Sequence, residues 1–389
     1  MKNKLKMQKP DYLFLGLFAF IAIFGLIMLS SVSTAVAFQR FGDSLYYVKH
    51  QMLYGFLPGI FVCAALSLID YRIWKRFAFP LFVASIVLLL LVLTPLGATF
   101  GGAKSWLNLG FITFQPSEIV KLTFILYLAA WLEARDQRSI KDFSDGLMPF
   151  LISLGIVMGL ILLQPDVGTM SIIVLIALMI YFVAGANMKH LLGLGAAGLA
   201  MLAFLIKIAP YRAARFTVFL HPELDPQGIG YHINQALLAI GSGGLFGLGF
   251  GYSRQKHLYL PEVIGDSIFA IIAEELGFIV VTVILMAFLA LIYRGYQIAR
   301  KAPDQFARLT VAGIMSWIGF QSFVNIAAMV GLLPITGLPL PFVSYGSSSL
   351  VVLFAAIGIV INISRFVDFG NKRKLKRVVR RIPRSKEAT

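Results

Sequence analysis

The sequence predicts an all-α integral membrane protein of about ten transmembrane helices, with a large outer loop between the seventh and eighth spans. Three observations carry this reading. The 389 residues are 59% hydrophobic and 13% charged, with a mean hydropathy of +0.84, whereas a soluble domain usually carries about 25% charge. The apolar residues come in runs of membrane-spanning length. The basic residues divide unevenly between alternate connections.

Crossing a bilayer takes roughly 17–25 apolar residues. Such runs lie near 12–35, 53–69, 77–96, 116–132, 147–163, 168–185, 190–209, 267–293, 309–332 and 347–364. The first follows MKNKLKMQKPDY and is longer than a signal-peptide core of about 7–15 residues. No small-residue cleavage site follows it, so a retained first helix is expected. The fifth and sixth runs are joined only by the tight turn Gln164-Pro165-Asp166-Val167. With both termini cytoplasmic, 25 of the 34 Lys and Arg fall in inside segments, 8 in outside segments and one, Lys121, within a span. That asymmetry is the positive-inside signal of a multi-pass protein. It assigns the net charge of +16 to topology, and no nucleic-acid partner is expected. The basic tail 365–389, NKRKLKRVVRRIPRSK at its heart, reads as a topology anchor or as a contact for anionic lipid or a partner. The lone Cys63 excludes an internal disulfide framework.

Residues 1–389 read as one polytopic domain without internal repeats. Two connections placed outside stand apart: 97–115 and, above all, 210–266. Loops beyond about 12–15 residues are usually functional or disordered. The second is too apolar for disorder and is expected to hold short helices at the outer surface.

Ionisable groups at membrane depth are costly and mark function by default. The fourth span opens FQPSEIVKL, with Pro116 suited to a first helical turn. Glu118 and Lys121 are three apart and share a face, and Lys121 lies only about 7 Å along the helix from Pro116. They read as a structural ion pair or as part of a substrate pocket. Asp166 suits turn chemistry. Glu274 and Glu275 lie two turns inside span eight and read as structural. Asp266, just before that span, is either a helix N-cap or, if burial raises its pKa, a general base. The last outer loop, GLLPITGLPLPFVSYGSSSL, contains Pro334, Pro339 and Pro341, which cannot continue a helix. Irregular backbone at membrane depth must be buried or line a cavity. Ser344, Tyr345 and Ser347–Ser349 would offer hydroxyls there, or cap span ten. These groups share the outer depth, whereas a transporter places charge at the midplane.

Other patterns carry no chemistry. GATFGGAKS lacks the Gly directly before Lys of a phosphate loop, and GSGGLFGLGFG follows no strand of a βαβ unit. The five histidines show no metal-ligand spacing; His221 and His232 read as polar loop residues.

The stretches GAKSWLNLGFITFQPSEIVKL, QPDVGT, DPQGIGYHINQALLAIGSGGLFGLGFG, LPEVIGDSIFAIIAEELGF and LPITGLPLPFVSYGSSSL together resemble the SEDS family (shape, elongation, division and sporulation; FtsW, RodA and SpoVE type). The resemblance implies a peptidoglycan glycosyltransferase that polymerises lipid II at the outer face of the bacterial cytoplasmic membrane. The family's essential aspartate follows the LPE motif that ends in Glu262, and the matching position is Asp266. Members commonly read His-Thr-Asp-Phe-Ile-Phe there; this chain reads Ile-Gly-Asp-Ser-Ile-Phe. The QKHLYLPE run looks like the division branch, with the elongation branch as the alternative. On this footing Asp266 is the expected catalytic base. Glu118, Lys121, Trp106, Arg212, Arg215, Glu262, Ser344 and Tyr345 are expected substrate-binding residues, with the cations facing the pyrophosphate and Trp106 as a sugar platform. No cofactor is certain, and the reading leaves room for a divalent cation, magnesium or manganese. Expected partners are lipid II, a class B penicillin-binding transpeptidase and other division-complex membrane proteins. The rivals are a lipid II flippase, which needs a polar path through both leaflets, and a non-catalytic scaffold.

Overall fold

The computed structural model describes residues 8–368, apart from 101–102, 109, 111–112, 209 and 226. Of the tail 365–389, all but 365–368 lies outside the described residues. In chain order the principal helices are α1 (Tyr12–Val32), α2 (Tyr46–Leu68) and α3 (Arg72–Leu93). Three strands follow, β1 (Gly97–Phe100), β2 (Ala103–Asn108) and β3 (Thr113–Phe114). Then come α4 (Pro116–Glu133), α5 (Phe143–Leu162), α6 (Val167–Val183) and α7 (Met188–Ile208). After them lie α8 (Pro210–Leu220), α9 (Ile229–Gly243), α10 (Ile268–Arg300), α11 (Gln305–Met329) and α12 (Ser347–Ser364).

Among the described residues eight helices are long and apolar enough to cross a membrane: α1, α2, α3, α5, α7, α10, α11 and α12. α6 is apolar but shorter, at 17 residues. α4 has 18 residues and includes Glu118, Lys121 and Glu133. Each of the ten expected runs therefore falls on a helix. Several helices outrun their apolar stretch. α2, α3 and α5 begin 4–7 residues early by their own N-terminal turns, and α10 continues to Arg300. Hydropathy reports contact with lipid, while the backbone hydrogen bonds that define a helix continue through charged residues.

Within 97–115 most of the described residues have regular structure. They fold as an antiparallel sheet in the order β1-β2-β3, with Ala98 opposite Trp106 and Leu107 opposite Phe114. β2 rests on α3 and α4. The 210–266 stretch contains α8 and α9, as its apolar content implied.

α11 and α12 form the centre: 72% and 67% of their apolar windows are buried, against 6% for α7. α11 packs on α4, α6 and α10, and α12 on α2. The α2–α12 contact is backbone-close, because a Cβ on Gly358 would stand 2.6 Å from the Cys63 carbonyl oxygen. Asp11 Oδ1 accepts from the Phe14 amide at 3.0 Å and so caps α1. The Gln8 amide bonds the Arg365 carbonyl at 2.8 Å. The start of α1 and the end of α12 thus meet at one end of the bundle. The opposite end carries the site.

Candidate functional site

The site begins with a break in α10. Gly277 has φ +72°, so the helical ladder stops there. The freed carbonyls of Glu274 and Glu275 accept from the amides of Leu248 and Gly249, each at 2.9 Å. The freed amides of Phe278 and Ile279 donate to Gly244 and Leu245, at 2.9 and 3.2 Å. The glycine-rich run after α9 thereby supplies four backbone bonds across the break, as a buried backbone requires. Only glycines allow this approach: a Cβ on Gly277 would lie 2.2 Å from the Gly247 amide nitrogen.

The two glutamates at the break then fasten the following turns. The Glu274 carboxylate accepts from the amides of Arg254 (3.0 Å) and Gln255 (3.3 Å) and from the Ser253 hydroxyl. The Glu275 carboxylate is ion-paired to Lys256 Nζ at 2.9 Å and bonded by Ser31 of α1 at 2.7 Å. These acids hold the 253–256 turn against α1 and α10, the structural role expected of them.

That turn leads directly to Asp266. Glu262 adopts φ +48°, and its carbonyl accepts from the amides of Gly265 (2.9 Å) and Ser267 (3.3 Å). This tight turn aims Asp266 inward, where it is 8% exposed. The N-cap alternative does not hold: the N-cap position of α10 is Ser267, and no side chain caps the first turn. Burial, and then the charge of Glu262, push the Asp266 carboxyl up to about 7, partly offset by the Ser267 hydroxyl and Arg215 of α8. A carboxyl in that range can take and release a proton near neutrality.

The last loop locks this turn in place. Ser344 Oγ donates to the Gly265 carbonyl at 2.6 Å and accepts from the Leu340 amide at 2.8 Å. The Tyr345 amide donates to the Ile264 carbonyl at 2.8 Å, and its hydroxyl meets His50 Nδ1 at 2.9 Å. Asn325 Nδ2 of α11 donates to the carbonyls of Asp266 and Leu338, both at 2.8 Å. Capping of α12 is not what Ser344 does. The N-cap of α12 is Gly346, without a side-chain cap bond.

Glu118 and Lys121 pair at 2.7 Å and are 4% and 0% exposed. Lys121 also donates to Gln321 at 2.9 Å and stands 4.9 Å from the centre of the Trp317 ring. Ser349 donates to Glu118 at 2.7 Å, and Gln321 Nε2 donates to the Pro339 carbonyl at 2.9 Å. The pair therefore joins α4, α11, α12 and the last loop. Asp166 caps α6 through the Thr169 amide at 3.0 Å and accepts from Gln115.

The other expected residues are more scattered. Glu262 is exposed beside Asp266, and Arg215 is close enough to act on its charge. Arg212 lies on α8, but its side chain falls outside the described residues. Trp106 is partly buried in β2. Among the described residues no group of three or more His, Cys, Asp or Glu stands together to hold a metal ion. Residues that motif reading passed over complete the site: His232, Ser267, Asn325, His50 and Ser31. Ser267 adjoins Asp266, whereas His232, Asn325, His50 and Ser31 lie 35, 59, 295 and 244 positions from Ser267, Asp266, Tyr345 and Glu275, so spacing carries no sign of them.

A model of the FtsW/RodA/SpoVE family, described as "Cell cycle protein", matches residues 11–368. Stage V sporulation protein E of Bacillus subtilis (strain 168) is 42% identical over 365 residues, covering 93% of this chain and 98% of that protein. A probable peptidoglycan glycosyltransferase FtsW of Geobacter sp. (strain M18) is 39% identical, covering 92% and 98%. Among solved structures, a chain from the structural coordination of polymerization and crosslinking by a peptidoglycan synthase complex superposes with a TM-score of 0.77 at 31% identity, covering 92% and 98%. The rod shape determining protein RodA of Thermus thermophilus gives 0.68 at 30% identity, covering 92% and 97%. With the motifs, the helical bundle and this coverage in agreement, the chain is a multi-pass membrane protein that belongs to the FtsW/RodA/SpoVE (SEDS) family.

Proposed function

We propose that this chain is a peptidoglycan glycosyltransferase that polymerises lipid II at the outer face of the cytoplasmic membrane, with Asp266 as general base. The observation that carries this reading is Asp266 itself: buried, not used as a cap, and held in its turn by α11 and the last loop. A relative named as a probable peptidoglycan glycosyltransferase supports the reaction class.

In the reaction, a sugar hydroxyl of one lipid-linked disaccharide attacks the anomeric carbon of a second. The new C–O bond forms as the bond to phosphate breaks, so the configuration inverts. Undecaprenyl pyrophosphate leaves with the electron pair, and the hydroxyl proton passes to Asp266. Arg215, with Arg212 on the same helix, would offset the pyrophosphate charge. Glu262, Tyr345 and Trp106 would position the sugars, while Ser344, bonded to Gly265 and Leu340, would fix the Asp266 turn. Lys121 is engaged with Glu118, Gln321 and Trp317; it would act by fixing the last loop. No step here runs through a metal.

Both termini are assigned to the cytoplasm by their basic flanks, which turns Asp266 outward. The QKHLYLPE run and a relative named FtsW at 39% identity support septal over elongation synthesis. A class B penicillin-binding transpeptidase would cross-link the product. The flippase reading is disfavoured by where charge is buried. Glu118, Lys121, Lys256, Asp266, Glu274 and Glu275 gather at one end and Asp11 at the other.

The test is lipid II polymerisation by the purified chain with its transpeptidase partner, wild type against Asp266→Asn. Glycan strands from wild type alone support the reading. Equal polymer from the variant removes Asp266 as base, and lipid scrambling without polymer would favour the flippase.

A further inference from the structure

Ser267 directly follows Asp266. It occupies the N-cap position of α10, where a serine ordinarily bonds an amide of the first turn. Here it makes no such bond. Its hydroxyl lies 2.6 Å from His232 Nε2 on α9 and 3.4 Å from Asp266 Oδ1. The arrangement is held from a distance. The end of α9 packs so tightly on the α10 break that a Cβ on Gly243 would stand 2.0 Å from the Ala273 carbonyl oxygen. The packing of α9 on α10 keeps the backbones that carry His232 and Ser267 beside one another.

We propose that His232 and Ser267 form, with Asp266, a hydrogen-bonded chain that orients the Asp266 carboxylate and sets how readily it accepts the proton of the attacking hydroxyl. This rests on the reading of Asp266 as the base. His232 and Ser267 are positioning residues, acting through Asp266.

The chemistry of the chain has one direction at a time, because Ser267 has a single hydroxyl proton. With Asp266 ionised, His232 Nε2–H donates to Ser267 Oγ, and the Ser267 hydroxyl donates to the carboxylate. When Asp266 gains a proton the serine is free to turn toward a His232 ring that has changed tautomer. Burial and the Arg215 charge push His232 down to about 4. It therefore stays neutral and takes no proton from the base. The charged and titratable groups that bear on Asp266 are Glu262 from its own turn, Arg215 from α8 and His232 from α9. α11 offers the neutral Asn325, and the last loop offers Ser344 and Tyr345.

Two measurements test this on the full chain with its transpeptidase partner. The first is the pH dependence of kcat/KM for lipid II polymerisation in wild type, Ser267→Ala, Ser267→Thr, His232→Leu and His232→Gln. Removing either link withdraws a hydrogen bond that favours the ionised carboxylate. The acid limb should move up by about half a unit to one unit in S267A and H232L, a loss of about three- to tenfold on that limb. S267T restores the hydroxyl and H232Q a nearby N–H donor, so both should return toward wild type. Wild-type acid limbs in S267A and H232L would overturn the proposal, whatever happens to the rate at the optimum. The second needs no substrate: the pH titration of the Asp266 carboxyl by infrared difference spectroscopy, assigned with Asp266→Asn. The same upward movement in S267A and H232L supports the chain, and an unmoved titration overturns it. An absence of polymer from wild type would count against the glycosyltransferase reading alone.

Discussion

Lys121 Nζ sits 2.7 Å from Glu118 Oε1, one turn away on α4, and both side chains are sealed from solvent. Breaking such a pair leaves a charge buried without compensation, at a cost of about 3–5 kcal/mol. Lys121→Met and Glu118→Gln should each lower the unfolding midpoint of the purified protein in detergent. The double substitution should cost less than the two singles added, because neither charge is then stranded. Additive losses in that double-mutant cycle would mean that the two residues do not act as a pair.

Gly277 and Gly247 should tolerate nothing larger. A methyl on Gly277 meets the Gly247 amide nitrogen at 2.2 Å, and its φ of +72° is itself strained for any other residue. Gly277→Ala should destabilise by about 2 kcal/mol or more and release the 244–256 segment from α10. Limited proteolysis reads this directly: cleavage within 244–259 should rise in the variant and stay low in wild type. Equal protection would show that the backbone pairing is not what holds the segment.

What was legible in the sequence followed what each signal measures. The helices were visible because lipid contact demands long apolar runs; Asp266 stood out at the membrane lip as a cap or a base, and only the family motif chose between them. The break in α10 was not visible: Glu274 to Phe278 lies in an apolar run, and only the fold reveals that Gly277 leaves the helix. The sheet at 97–114 was hidden by strands of two to six residues. His232 reads as a loop histidine until the packing of α9 on α10 brings it to Ser267, 35 positions away. The family motif put Asp266 forward as the candidate base, but several of the groups that hold it come from distant parts of the chain.

Ser344 ties the last loop to the Asp266 turn by two bonds, to the Gly265 carbonyl and from the Leu340 amide. Ser344→Ala leaves both backbone groups without this partner, a loss of about 1–2 kcal/mol in stability. The larger effect should be on kcat, since the turn that aims Asp266 loosens while the groups proposed to bind pyrophosphate are untouched. Steady-state polymerisation should show a fall in kcat of tenfold or so with little change in KM. A variant with wild-type kcat would remove the clamp from the catalytic argument.

Asp266 should make the folded protein less stable as pH rises. Its carboxyl has an ordinary value of 3.8 and is pushed up to about 7 in the fold. Below about pH 4 it is protonated in both folded and unfolded chains, and burial then costs no charge. Between about 4 and 7 the unfolded chain ionises while the folded one holds its proton, so stability falls steadily. Above 7 both are ionised and the loss levels off, at a total on the order of 4 kcal/mol. Asparagine cannot ionise, so Asp266→Asn should lack this component of the slope. The variant should then unfold at a higher temperature than wild type at pH 8 and at a similar one near pH 4. The polymerisation rate should run the opposite way in wild type, rising through pH 7 as the base ionises. Thermal unfolding of both proteins across pH 4 to 8 decides the matter: parallel curves would mean that Asp266 is not held protonated by its burial, and the case for a base poised near neutrality would go with it.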